Sequence, residues 1–464
     1  MHHALLIDEI LREIFEDCEK GALSAAARTC QAWKDPALDQ LWRVLPSISP
    51  VLALLPQLKY EGKQYTLTQH PNSTDFARLT AYAHRVRRIS IYSSPVLPPA
   101  LHAVFDSLFP GISGLRLTGG AGDVDLTRFA GRTLRTLELD TSRSPALHGA
   151  LARLPTLCPA LAALRVRGPV SEESDTSLRL QSDLRALSLK LGASLRPAAV
   201  TALVRLPRLE TLELHAERLN ADALPLPAPG LLPALRWLRL RAHAATLVAF
   251  LALVPRDTLT DLLLDIEDTS LPASTAKHVC AAIAHAGQRS LHSVTLEWHH
   301  DGEGELNAHA LRPLAALESL KHLVLDTRCV PDLADEEVRR LVKGWPGLEW
   351  LELGSAPVAE REERVKWGCK GTVGVLGVLA RACPRLNVLM VPVDAGKEVE
   401  GLEEMEGGVR ALERLTLLSP TVFNSAVMAE RLQALFPLLK GVDGMPEHEE
   451  LWVGVRDAMH LSCA

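Results

Sequence analysis

The chain has 464 residues, 47% of them hydrophobic and 23% charged, values that exclude disorder as the default state. Aromatic residues make up only 4%, so leucine, alanine and valine must fill the interior, which suits thin repeated layers better than a core built around large rings. A net charge of -6 argues against general nucleic-acid binding, which needs a basic face, and mainly favours solubility.

The start, Met1 to Glu9, lacks a basic segment and turns acidic too soon for a secretory signal. No apolar run reaches the roughly 18 residues expected of a membrane span. Cys18, Cys30, Cys158, Cys280, Cys329, Cys369, Cys383 and Cys463 form no C-x-x-C pair and no zinc-like spacing. The expectation is a cytoplasmic or nuclear protein with reduced thiols and no membrane partner.

Residues 1–45 predict three short helices. Ile7, Ile10, Leu11, Ile14 and Phe15 recur at the spacing of one apolar helix face. Leu23, Ala26, Ala27 and Cys30 form a second, shorter face, followed by Trp33, Pro36, Leu38, Leu41 and Trp42. A unit this small buries little surface and is expected to lean on the rest of the chain or on a partner. Residues 46–83 are expected to form a helical linker or N-terminal cap.

From residue 84 to 440 a phrase keeps returning: Leu-x-x-Leu-x-Leu, often behind a proline. It reads Leu209-Glu-Thr-Leu212-Glu-Leu214 after Pro207, Leu235-Arg-Trp-Leu238-Arg-Leu240 after Pro233, and Leu348-Glu-Trp-Leu351-Glu-Leu353 after Pro346. Looser copies begin at Val86, Ile112, Leu134, Leu161, Leu184, Leu259, Leu291, Leu320, Leu386 and Leu412. The interval is about 22 to 38 residues, mostly under 30, the signature of a solenoid.

In the best-defined copy, Pro197 opens a helix over 198–205 with Val200, Leu203 and Val204 on one side, and Pro207 ends it. Leu212 and Leu214 then alternate with Thr211, Glu213 and His215, the period of a short strand. Helices are likewise predicted over 246–254, 276–286, 336–343 and 373–382, the last weakened by Gly374 and Gly377. Strands joined by helices run parallel. Residues 441–464 are expected to supply a capping helix, with Leu451, Val455, Ala458 and Met459 on its inner side.

This pattern resembles the leucine-rich-repeat superfamily, in its longer, helix-containing form. The fold class expected is α/β: a solenoid with parallel strands inside and helices outside, preceded by a small all-α domain. The usual pattern carries Asn three residues after the last leucine, where it satisfies backbone groups in the turn. Glu217, Ser142 and His243 stand there instead, so irregular curvature and no regular ladder are expected.

The N-terminal runs, Leu6-Ile7-Asp8-Glu9-Ile10-Leu11-Arg12-Glu13-Ile14-Phe15, then Cys30-Gln-Ala-Trp33, then Leu41-Trp42, resemble an F-box. Ile7 departs from the family's usual proline. The resemblance implies docking of a Skp-family adaptor of a cullin ubiquitin ligase through Leu6, Ile7, Ile10, Leu11 and Ile14. An F-box followed by leucine repeats resembles a substrate receptor, of the fungal type. It implies a non-catalytic subunit with no cofactor, whose repeats hold a protein substrate on their concave face. The competing reading is a leucine-repeat scaffold with no ubiquitin role, and a plain helical cap at residues 1–45.

On the concave side, the residues facing away from the core include Trp237, Arg239, Arg241, Asp261, Asp265, Trp350 and Glu352. Trp and Arg are the types most enriched in binding hot spots, so Trp237, Arg239, Arg241, Asp261 and Trp350 are the candidate substrate-binding residues. The alternative is that both arginines simply pair across strands with Asp261 and Asp265. His299-His300-Asp301 lacks a third ligand at helical spacing and reads as a solvated loop. Gly119-Gly120-Ala121-Gly122 lacks the Lys-Ser/Thr of a phosphate loop and reads as a turn between repeats. The acidic run at 398–408 reads as a solvated loop.

Overall fold

A computed structural model describes residues 7–61, 64–93, 97–105, 107–120, 126, 129, 131–140, 153–168, 182–192, 195–216, 219, 221–300, 304–327, 329–354, 369–396, 411–419, 421–422, 424–445 and 449–460. Leu6, Ser142, Glu217, Asp301, Cys463 and the acidic run at 398–408 lie outside them. The chain divides into two compact units, Met1–Leu206 and Pro207–Ala464.

The first unit opens with α1 (Asp8–Glu16), α2 (Lys20–Ala26) and α3 (Gln31–Arg43). They close on a small core of Leu11, Phe15, Leu23 and Ala37, with Trp33 and Leu41 packed at its edge. The Phe15 and Trp33 rings meet edge to face at 6.0 Å. Arg12 bridges α1 to α3, 2.7 Å from Asp39, and Arg43 returns to Glu16 at 2.7 Å.

As expected of so small a unit, it leans on its neighbours. Arg85 pairs with Asp35 and Asp39 of α3, and Trp42 packs on Tyr82 at 4.8 Å. The chain leaves α3 directly into β1 (Val44–Leu45), which pairs in parallel with β4 (Arg88–Ser93). The repeat sheet therefore starts inside residues 1–45, earlier than the boundary at 84. Residues 46–83 are also not purely helical. Between α4 (Ser49–Leu52) and α5 (Ser73–Ala83) they form an antiparallel hairpin, β2 (Leu58–Glu61) with β3 (Gln64–Leu67).

From β4 the row continues through β5 (Gly114–Gly120), β6 (Thr136–Asp140), β7 (Ala163–Arg167) and β8 (Ala186–Leu191), each parallel to the one before. Gly119 and Gly120 finish β5 and are strand residues, where a turn was expected.

The second unit repeats the plan with β9 (Thr211–Ala216), β10 (Trp237–Ala242), β11 (Asp261–Ile266), β12 (Ser293–Trp298), β13 (His322–Thr327), β14 (Trp350–Leu353), β15 (Val388–Pro392), β16 (Arg414–Leu418) and β17 (Gly441–Asp443). Every adjacent pair is parallel and in register, so Leu212, Leu238, Leu262, Val294, Leu323, Leu351, Leu389, Leu415 and Val442 stand side by side. All nine are at most 2% exposed. The strand row runs past the boundary at 440.

The predicted helices form at Pro197–Val204, Ala244–Leu251, Ala273–Gly287, Asp335–Val342 and Gly374–Ala382, within a residue or a few of the expected ends. They bury one side against the leucine columns. Leu311, Val338, Leu341 and Trp345 enclose a void of only about 10 Å³ with Leu323 and Leu351, so helix and strand side chains interdigitate closely there.

Closeness is also enforced at Gly344, where a Cβ would fall 1.9 Å from the Ala315 carbonyl oxygen. Gly344→Ala is expected to cost about 1–3 kcal/mol by overpacking, read as a lower urea midpoint. An unchanged midpoint would mean the two turns are not in contact. The C-terminal helix Glu449–Ala458 buries Trp452 and Val455, and Met459 just beyond it is buried too, while Leu451 and Ala458 face solvent. Trp452 replaces Leu451 on the inner side, and Arg456 donates to the Val442 carbonyl at 3.0 Å, closing the last strand.

Among the described residues, several turns are satisfied by side chains other than asparagine. His243 instead precedes the helix Ala244–Leu251, whose first N–H donates to an Asp268 carboxylate oxygen at 2.6 Å. The Asp268 carbonyl in turn accepts from Trp298 Nε1 at 2.7 Å. Cys329 Sγ donates to the Gly304 carbonyl at 2.8 Å and Cys369 Sγ to that of Pro392 at 3.2 Å. These turns are held by an aspartate, a tryptophan and two cysteines.

Candidate partner-binding surfaces

The apolar arc of α1 is wider than one contact can cover. At 100° per residue, Ile10, Ile14, Ile7, Leu11 and Phe15 spread over about 140°. The leading part, Leu11 (1% exposed) and Phe15 (5%), fills the three-helix core. The trailing part stays outside: Ile7 is 45% exposed, Ile14 46%, and Ile10 half-buried. Leu11, grouped with Leu6, Ile7, Ile10 and Ile14 as an adaptor-facing residue, is buried in the three-helix core.

Ile7 is the N-cap of α1, with φ -89° and no side-chain cap. The helix start is held instead by Asp8 and Glu9 in the first turn, where negative charge is favourable. The Ile7 carbonyl accepts from Leu11 N–H at 3.0 Å.

On the second unit, side chains alternating with the leucines form an open sheet face. The register sets Trp237 beside Asp261, Arg239 beside Leu263, and Arg241 beside Asp265. Arg241 Nε lies 3.0 Å from Glu267 and 3.4 Å from Asp265, so half of the expected pairing is present. Arg239 departs from it, reaching Glu213 at 3.8 Å and Glu297 at 3.5 Å. Asp261 accepts from the Thr260 hydroxyl at 2.7 Å. Exposed pairs of this kind contribute a few tenths of a kcal/mol.

Asp265, Glu297 and Asp326 stand in register on three successive strands. Burial pushes the Glu297 carboxyl above the usual range; Arg239 opposes this, and Asp265 and Asp326 add to it. The folded chain therefore takes up that proton more readily than the unfolded chain. The penalty of ionising Glu297 is absent at low pH and grows as pH rises above its ordinary value of 4.5. Glu297→Gln is expected to raise the urea midpoint at pH 7.5 and to leave it unchanged near pH 4; equal effects at both would contradict this.

Trp350 sits four strands away from Trp237, half-buried, its Nε1 donating to Glu352 at 2.8 Å. It walls a cleft of about 300 Å³ with His322, Glu349, Asn387, Val388, Glu413 and Arg414. Glu349 is approached by Lys321 at 3.7 Å and His322 at 3.9 Å, and Glu413 by Lys440 at 2.8 Å. The cleft is polar with one large ring, of a size that receives a partner side chain. His322, Asn387 and Arg414 escaped the sequence reading. The signal was there: each occupies the residue just before or at the strand start, the place Trp350 holds in its own repeat. Trp237, Arg239, Arg241 and Asp261 therefore share one patch, and Trp350 belongs to another.

His299 Nε2 lies 3.5 Å from Asp326. Among the described residues no group of three or more His, Cys, Asp or Glu is arranged to hold a metal. Cys18, Cys30, Cys158, Cys280, Cys329, Cys369 and Cys383 are free thiols, and burial pushes Cys280 and Cys383 up to about 12 and Cys158 to about 11. No helix among the described residues is long and apolar enough to cross a membrane.

Parallel strands in register, leucines in columns and helices packed against them define a leucine-rich-repeat fold. No protein-family model and no curated protein matches the sequence. Among solved structures, an internalin from Listeria monocytogenes is similar at 13% identity, covering 88% of this chain and 91% of its own, with a TM-score of 0.38. The yeast Rad7 and Elc1 complex is similar at 16% identity, covering 69% of this chain and 78% of its own, with a TM-score of 0.34. At such scores the fold assignment rests on the strand register and the leucine columns.

Proposed function

We propose that this chain is a non-catalytic substrate-recognition subunit of a cullin-type ubiquitin ligase, docking a Skp-family adaptor through α1 and a protein substrate through the open face of the repeats. The observation that carries the adaptor half is the divided arc of α1. Leu11 and Phe15 already complete the small core, yet Ile7, Ile10 and Ile14 continue the apolar surface into solvent. A helix that needed only to cap the repeats would bear polar residues there. The F-box-like order of Ile7–Phe15, Cys30–Trp33 and Leu41–Trp42 supports the same reading.

The test mixes the full chain with a purified Skp-family adaptor. Deleting residues 1–45 would also remove β1 and the partners of Arg85, so point variants serve better. Ile7→Asp with Ile14→Asp should weaken adaptor binding at least about 100-fold, since two exposed anchors worth about 1.5 kcal/mol or more each are replaced by charge, with an unchanged urea midpoint. A native chain that ignores the adaptor would leave the repeats as an interaction scaffold without a ubiquitin role.

For the substrate half, Trp237 with Arg239 and the Trp350 cleft are the two patches offered. Trp237→Ala with Arg239→Ala should abolish substrate capture and leave the fold intact, and undiminished recovery of the substrate in a pull-down would remove that patch.

A further inference from the structure

The connection from β9 to β10 contains Leu224-Pro225-Leu226-Pro227-Ala228-Pro229-Gly230. From Leu224 to Pro229 every residue is either a proline or the residue before one. Each proline ring fixes its own φ near −65°, and each residue before a proline is driven from the helical region into the extended one. Local sterics alone therefore hold six consecutive residues close to a polyproline II path. Residues 225–228 carry no helix or strand hydrogen bonding, and neither the Leu226 nor the Ala228 N–H donates to a described residue.

The segment is held firmly at both ends. Before it, Leu219 is 2% exposed and its carbonyl accepts from the buried Thr246 hydroxyl at 3.1 Å. After it, Gly230 turns the chain at φ +85°, and Leu231 and Leu232 return to the core at 6% and 0% exposure. Between these anchors Leu226, Pro227, Ala228 and Pro229 face solvent, and Leu226, at 87%, is the most exposed large apolar side chain among the described residues. A leucine left this bare on a stiff arm contributes nothing to the chain's own core.

We infer that Leu224–Pro229 is a preformed ligand for a proline-recognition domain, a partner with an aromatic-lined groove. Polyproline II has three residues per turn, so Leu226 and Pro229 fall on one edge of the arm and Pro227 on the next. Such grooves read residues at that spacing, and a ligand already extended loses little entropy on binding. The absence of charge from 223 to 230 points to a groove that recognises apolar edges and not a flanking basic residue. This arm lies in the connection between β9 and β10, outside the strands themselves, and does not depend on the ubiquitin reading.

The test titrates the full chain against purified SH3, WW and EVH1 domains and profilin, each followed by its intrinsic tryptophan or tyrosine shift. At least one should bind saturably with a Kd of about 10–500 µM. Leu226→Ala with Pro229→Ala should weaken that binding at least about tenfold and leave the urea midpoint unchanged. Asp222→Ala, just outside the arm, should have no effect. Failure of every domain to bind near 1 mM, or binding indifferent to the double variant, would overturn the inference. So would self-association that Leu226→Ala abolishes, since the arm would then be a contact between copies.

Discussion

Leu323→Ala is expected to destabilise the second unit by about 3–5 kcal/mol, the upper part of the range for leucine truncation in a core. Leu323 is fully buried in the centre of the column, between Val294 and Leu351 in register. It also faces the helical layer across the void shared with Val338 and Leu341. Collapse is restricted on both sides. The neighbouring strands are held by backbone hydrogen bonds, and Leu341, Val342 and Trp345 are already packed, with Trp345 Nε1 donating to the Leu314 carbonyl at 2.9 Å. The cavity therefore stays open, and its cost adds to the lost transfer energy. Urea unfolding followed by circular dichroism checks this, with Val324→Ala as the comparison. Val324 is the next residue on the same strand but points to the open face, and its truncation should cost less than about 1 kcal/mol. Equal losses would mean that the alternation of strand faces is wrong.

Trp298→Ala is the second large loss, also about 3–5 kcal/mol. Trp298 is fully buried, and its ring lies so close to Gly304 that a Cβ there would come within 2.3 Å of it. Its N–H satisfies the Asp268 carbonyl, and the Asp268 carboxylate satisfies the first N–H of the helix after β10. Three successive repeats are joined through one indole and one aspartate, in place of a ladder of asparagines. Trp298→Phe separates the two contributions. It keeps most of the ring but strands the Asp268 carbonyl, which should cost about 1–3 kcal/mol. A double-mutant cycle between Trp298→Phe and Asp268→Ala should be non-additive by at least about 0.5 kcal/mol. Strict additivity would mean that the turns are stabilised independently.

The repeat was legible because each repeat buries the same three places of one phrase, and burial at those places tolerates little besides Leu, Ile and Val. Val86, Ile112 and Leu134 fit the column as well as Leu209 does, although their surrounding phrases are looser. The helix at Gly374–Ala382 formed despite two glycines, because Val375, Leu376, Val378 and Leu379 bury so much surface that packing overrides propensity. The hairpin β2–β3 was overlooked. Its signal was short: Tyr60 and Tyr65 on either side of a glycine, aromatic residues of the kind that favour paired strands. The rings of Tyr60 and Tyr65 pack across it at 4.9 Å.

The candidate surfaces were less legible than the fold. Periodicity identifies an apolar face on α1 but cannot divide it between an inner core and an outer contact, because Ile and Leu look alike in both roles. The division came from the positions of Leu23, Ala37 and Trp33, which cover only one edge of the arc. Across the strands, the partner of Arg239 could not be read from sequence. A long side chain reaches past its nearest neighbour, and Glu297, two strands away, competes with the adjacent position at Leu263.

The most direct measurement is the pattern of methyl–methyl nuclear Overhauser contacts in the full chain with labelled Leu and Val methyl groups. Leu323 should contact Val294 and Leu351, and Leu351 should contact Leu389, each step crossing one strand. Contacts from Leu323 that bypass Val294 and Leu351, or that link it to a Val324-side residue such as Leu263, would contradict the parallel, in-register stacking from which the open strand face takes its form.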